Sequence, residues 1–343
     1  MTADPATVEL PSGVDAPGYE PRRRWRPTRL QWCIAIWLSL VGYMLWKWHL
    51  DTNRNHLLII LGTGLMAAGA GRLRTIARVV IDWAPLFFIL AAYDSLRGKA
   101  DQWFPVNVTP QIHADQFLFG GKVPTVELQH ALFTPGKPHI WDYAAFFVYL
   151  THFFAAIFVA AFLWKFAYPR FRRFAVLLVA LSFAAFATYA LFPAAPPWLA
   201  SQNHALAPTA KIVDEIWTHL GLQNGASLLS ARSREANPVA AIPSLHSAYP
   251  VLLMLFFWRS AGRWRWLLPL YPLAMAFSLV YTGEHYVIDI LLGWLYAVVV
   301  YFVGTALMDR WSRRRARTAV DPPKPEPEAV APVLAGASLS SRD

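Results

Sequence analysis

Two histidines and an aspartate carry the most specific chemical pattern in this chain. His285 lies in Tyr281-Thr282-Gly283-Glu284-His285-Tyr286-Val287-Ile288-Asp289, with Asp289 four residues after it. On a helix that spacing puts both side chains on one face, one turn apart. The carboxylate can accept the proton on one ring nitrogen, which fixes the tautomer and leaves the other nitrogen with a free electron pair. This is the orienting logic of a catalytic triad, with the imidazole as nucleophile. A second motif, Ala241-Ile242-Pro243-Ser244-Leu245-His246-Ser247, brings His246 to another helix start. Ser244 is placed to cap that helix and to face a phosphate, and His246 can protonate a leaving oxygen while His285 attacks phosphorus. The helix carrying Asp289 is expected to offer unpaired N–H groups and its positive dipole end to the same phosphate. Two blander readings share these residues. A His–Asp pair can simply hold helices together at a membrane interface, and Glu284 is readable as a solvated residue favoured at a helix start.

These motifs sit where apolar segments begin. Eight such segments read as membrane spans, at 30–48, 56–70, 79–96, 143–164, 174–192, 245–258, 265–282 and 286–307. A helix needs about 20 apolar residues to cross the bilayer core, so the second and sixth are short. Lys and Arg mark the cytoplasmic side. With the N-terminus inside, every second connection is short and basic: Arg72 to Arg78, Lys165 to Arg173, and Arg259 to Arg265. Arg22 to Arg29 precede the first span and Arg310 to Arg317 follow the last. An even number of spans then leaves both termini cytoplasmic, with His246 and His285 facing outside.

Composition agrees. Of 343 residues, 56% are hydrophobic and only 15% charged, and 16 are Trp, a residue favoured at membrane interfaces. The net charge of +10 is accounted for by topology, and no nucleic-acid partner is needed. The single cysteine, Cys33, excludes an internal disulfide and any thiol-based metal site. Two long outer connections remain, 97–142 and 193–244. The first holds an apolar-rich run, Ala114–Phe133, broken by Gly120-Gly121 and readable as an interfacial helix. The second opens on a stiff stretch from Phe192 to Trp198 containing three prolines, Pro193, Pro196 and Pro197, and two alanines. Residues 1–20 and 318–343 are too polar and proline-rich to fold.

The paired motifs resemble the second and third signatures of the type 2 phosphatidic acid phosphatase superfamily. With Tyr93-Asp94-Ser95-Leu96-Arg97 and the Ala-Pro-Pro at 195–197, the chain most resembles its inositol phosphorylceramide synthase-like (inositolphosphotransferase) branch. The resemblance covers about 79–307. It implies a six-helix core, no metal or other cofactor, a phosphohistidine on His285, Asp289 as its orienter and His246 as general acid. The third motif departs from the family pattern, with Ser278 followed by Leu279 where an arginine is usual, and the first motif has no clear match. Other cations must then hold the phosphate, and Arg97, Lys99, Arg232 and Arg234 are the candidates.

The expectation is therefore an all-α polytopic membrane protein of about eight transmembrane helices. A disordered tail (1–29) and two extra helices (30–78) precede a six-helix catalytic domain (79–307), and a basic, then disordered, tail (308–343) follows. It is expected to act as a metal-independent lipid phosphotransferase on a phospholipid or polyprenyl phosphate, with an alcohol acceptor such as an inositol-type headgroup. A lipid phosphate or polyprenyl diphosphate phosphatase would use the same residues with water as acceptor. A transporter or scramblase would instead place charges in mid-span and break its helices in pairs.

Overall fold

The computed structural model describes residues 28–47, several positions between 60 and 67, 73–96, 103–221 and 239–320. Among them the chain is helical, apart from turns and isolated bridges between extended segments. Helices α1 (Arg29–Lys47) and α2 (Leu73–Leu96) come first. Two short helices follow, α3 (Thr109–Leu118) and α4 (Pro124–Leu132). Then come α5 (Ile140–Phe166) and α6 (Tyr168–Leu191), which are long, and the short α7 (Pro197–Gln202) and α8 (Ile212–His219). Next is α9 (Leu245–Phe257). A 3₁₀ turn (Gly262–Leu267) leads into α10 (Leu270–Tyr281), and α11 (Val287–Val320) closes the described chain.

Among the described residues, three stretches are long and apolar enough to cross a membrane: Ile140–Phe166, Tyr168–Leu191 and Val287–Arg317. α9 is apolar but has 13 residues, about 20 Å at the helical rise. The seventh expected segment, 265–282, starts later than its hydrophobicity suggests, because Pro269 has no N–H for a continuing helix and serves as the cap of α10. The last segment runs on through its basic end to Val320, since Arg and Ala are good helix formers. Most of 56–70 and all of 1–27 and 321–343 lie outside the described residues.

Turn chemistry sets the breaks. Gly120 and Gly121 take φ of 63° and 89° and split the apolar run into α3 and α4, each begun by a proline in its first turn. The core is built on α6, whose Phe171, Phe174, Leu177 and Leu181 are fully buried with Ala160 and Leu163 of α5 and Leu252 of α9. Asp82 on α2 is not left unpaired, since Trp164 Nε1 (2.9 Å) and Tyr168 Oη (2.8 Å) donate to its two oxygens. The opposite faces carry Phe158, Phe162 and Phe302, each more than half exposed, as suits lipid-facing surfaces.

Outside this bundle the connections fold into a cap. Ala194 sits between two partners: Ala195 N donates to Asn107 O (2.9 Å), and Ala194 N to Val239 O (2.7 Å). The proline-rich stretch is thus an extended staple from 193 to 195, followed by α7.

Candidate active site

The site forms where α9 and α11 begin side by side. Ser244 caps α9, its Oγ accepting from Ser247 N at 3.3 Å. Ser244 N donates to Asp289 O (3.0 Å), so the first turns of the two helices share a backbone hydrogen bond. The approach is possible because α11 has a glycine there. A Cβ on Gly293 would lie 2.3 Å from Ser244 O and 2.6 Å from Ser247 Oγ.

This docking brings the histidines together. His246 Nδ1 lies 3.2 Å from His285 Nε2, and His285 Nδ1 lies 3.4 Å from Asp289 Oδ2, a long but polar contact. The three side chains form a line, Asp289–His285–His246. His285 is 4% exposed and Asp289 fully buried. Burial pushes the His285 imidazole down to about 4, with the Ala241 carbonyl opposing, so the ring is neutral at pH 7. A neutral ring with its Nδ1 proton toward Asp289 keeps a lone pair on Nε2. His246 must then donate its Nδ1 proton to that lone pair. The His246 ring is clamped by one turn of α5: Tyr149 stacks on it (5.3 Å between centroids), His152 lies at 4.1 Å and Phe153 meets it edge-on at 5.8 Å. Among the described residues these histidines are not grouped with others as metal ligands.

The turn before α11 is held by the segments around α4, α7 and α8. Gly283, at φ 79°, passes so close to the next segment that a Cβ would lie 2.6 Å from Ala210 O. Gln129 of α4 is a buried clamp: its Nε2 donates to Ala210 O and Tyr281 O (2.9 Å each), and its Oε1 accepts from Ala210 N (2.8 Å). Tyr281 donates to Asp142 at the start of α5. Lys211 is 9% exposed, 3.4 Å from Asp214 and 4.0 Å from Glu284, with its ammonium over the Trp198 ring. Burial pushes Glu284 up to about 7, Lys211 opposing.

Two sequence expectations change here. The start of α11 does not present free amides: Val287 N and Ile288 N donate to Asp115 of α3 at 3.0 Å each, and Tyr286 N donates to Asp289 Oδ2 at 3.0 Å. Burial pushes Asp115 up to about 6, the two amides opposing. The Ser244 hydroxyl is engaged in its cap and fully buried. Arg97, Lys99, Arg232 and Arg234 lie outside the described residues. Leu279, where the motif's arginine would stand, is fully buried in the apolar cluster of Phe146, Tyr149 and Ile216, and Ser278 donates to Ala145 O. An arginine there would be a buried, unpaired charge.

Sequence reasoning missed Asp115, Gln129, Lys211 and His152. The last had a signal, since a histidine in the middle of an apolar span is costly unless it is used.

A family model described as the PAP2 superfamily matches residues 124–303, just over half the chain. The chain belongs to the PAP2 superfamily. The family and the relative below support an enzyme acting on lipid phosphate, as phosphotransferase or phosphatase, and the paired motifs at 241–247 and 281–289 fall inside the matched range, with 93–97 outside it. The chain is also similar to a phosphoinositol dihydroceramide synthase of Bacteroides thetaiotaomicron, 35% identical over 129 residues. That match covers 35% of this chain and 41% of the relative, so the chain spans well under two thirds of the relative's length. No solved structure matches the chain.

Proposed function

We propose that this protein is a membrane lipid phosphotransferase that works through a phosphohistidine on His285. The observation that carries the reading is the buried line Asp289–His285–His246 at two adjoining helix starts. In the first half-reaction His285 Nε2 bonds to phosphorus as the bond from phosphorus to the leaving oxygen breaks. An imidazolium His246 gives its proton to that oxygen. In the second half-reaction the acceptor oxygen attacks phosphorus, its proton passes to His246, and the P–N bond breaks. Asp289 holds the Nδ1 proton of His285 throughout and stabilises the charge the ring gains. The resting His246–His285 contact of 3.2 Å leaves no room for phosphorus, so substrate binding must separate the rings. No step calls for a metal.

In this reading α2, α5, α6, α9, α10 and α11 form a six-span catalytic domain, 79–307. α1 and segment 56–70 add two spans, both termini are cytoplasmic, and the site faces outward. Arg97, Lys99, Arg232 and Arg234 hold the phosphate. The relative's name suggests the probes: phosphatidylinositol as donor and a dihydroceramide as acceptor. Purified protein in lipid nanodiscs is incubated with donor labelled at phosphorus, quenched in base and digested. Label on the His285 peptide, lost in His285→Ala together with turnover, is the expected result. Full activity in His285→Ala would refute the mechanism. Product formed only with the alcohol acceptor marks transfer, and release of labelled inositol phosphate with water alone marks hydrolysis.

A further inference from the structure

We propose that Asp115, on the outer helix α3, is a positioning residue that keeps Asp289 committed to His285. The inference rests on the reading of His285 and Asp289 as the reacting pair. A helix leaves its first N–H groups without partners inside the helix, and at α11 these are divided between two carboxylates. Asp115 Oδ1 and Oδ2 take Ile288 N and Val287 N, each at 3.0 Å. Asp289 Oδ2 takes Tyr286 N at 3.0 Å and is also the oxygen 3.4 Å from His285 Nδ1. Both carboxylates are fully buried, so water cannot stand in for either.

Competition makes the arrangement matter. A side chain in the first turn of a helix is a natural acceptor for the free amides there. Without Asp115, two buried donors would lack an acceptor, and Asp289, in the first turn of the same helix, is the carboxylate within reach. Any rotation of Asp289 toward those amides lengthens a contact to His285 that is already long and frees the ring to turn. Asp115 reaches these amides from 172 residues away in the chain. Its own helix is held by Ile112, which packs with Tyr286 and Val123. The outer helix is thus part of the catalytic machinery without touching the substrate.

The test compares Asp115→Ala, Asp115→Asn and Ile112→Ala in the full chain in nanodiscs, with phosphatidylinositol and dihydroceramide as probes. Each is measured for kcat, KM, apparent Tm and phosphoenzyme formed in a rapid quench. Ile112→Ala loosens α3 without removing an acceptor, and so reports what packing alone costs. Asp115→Ala should lower kcat and the phosphoenzyme rate by about 10- to 100-fold with KM within about 2-fold, as expected for a misaligned reacting group. Asp115→Asn keeps one carbonyl acceptor and should recover part of the rate, which also covers the case in which the alanine variant does not fold. If both Asp115 variants lose no more kcat than Ile112→Ala at equal Tm loss, the inference is overturned. If His285→Ala itself stays active, the underlying mechanism has failed, and that outcome is told apart by this control.

Discussion

Gly293→Ala tests whether the meeting of α9 and α11 sets the spacing of the histidines. Gly293 is one turn beyond Asp289, on the face against which Ser244 and Ser247 pack. In a free helix the change would stabilise the protein by about 1 kcal/mol, because alanine is the better helix former. Here the new Cβ would stand 2.3 Å from Ser244 O and 2.6 Å from Ser247 Oγ. The first neighbour is backbone and cannot rotate away, so the start of α9 must retreat by roughly 1 Å, at an overpacking cost of about 1–3 kcal/mol. His246 is two residues past Ser244 and moves with it. A retreat of that size takes the 3.2 Å contact of His246 Nδ1 with His285 Nε2 beyond hydrogen-bonding range. A misplacement of about 1 Å at reacting groups can cost about 100-fold in rate. The assay is turnover of labelled phosphatidylinositol beside apparent Tm, both in nanodiscs. The expected result is a fall in both. A raised Tm with unchanged turnover would show helix propensity winning over the clash and would refute the argument.

Two further outcomes follow from the turn before α11. Glu284 has its folded pKa raised from 4.5 to about 7 by burial. Its contribution is absent below about pH 4.5, becomes increasingly destabilising as pH rises toward 7, and is constant above that. It reaches about 3 kcal/mol at alkaline pH, so Glu284→Gln should raise apparent Tm at pH 8 and not at pH 4.5, with thermal scans across that range as the check. Gln129→Ala removes three hydrogen bonds and leaves half-buried Ala210 and buried Tyr281 backbone groups without them, a loss of about 2–4 kcal/mol, read as a lower midpoint in denaturant.

Several helices were legible because membrane segments announce themselves by length and apolarity. The expected 143–164 lies inside α5, 174–192 overruns the end of α6 by one residue, and 245–258 coincides with α9 to within a residue. The Ser244 cap was readable from local chemistry, since a serine before an apolar run has few other uses. The partners of α11 were not. Asp115 lies in an apolar-rich run and has no local pattern to single it out, and its bond partners are 172 and 173 residues away. Free amides are the default expectation for a helix start. Only the folded chain shows that a remote carboxylate has taken them. Gly293 was silent for the same reason: a glycine inside a helix reads as a weak point until the neighbour it admits is known.

The charges gathered around His285, the nucleophile of the proposed reaction, bear on which lipid phosphate it would take. Asp115 and Asp289 flank the start of α11, and Glu284 and Asp214 share the single ammonium of Lys211 beside the preceding turn. The described surroundings of His285 are therefore rich in carboxyl groups, and Leu279 occupies the place where the family pattern would put a cation. Repulsion between a phosphate and buried carboxylates scales with the phosphate's charge and is weakly screened at such a site. A monoester phosphate carries up to two charges near neutral pH, whereas a phosphodiester carries one. For any given complement of cations, a diester therefore costs less to bring to His285 Nε2. Breaking a diester leaves the headgroup on the phosphorus, so the group moved would be a phosphate still bearing its alcohol. This charge balance favours transfer of a phospho-headgroup over dephosphorylation of a lipid monoester.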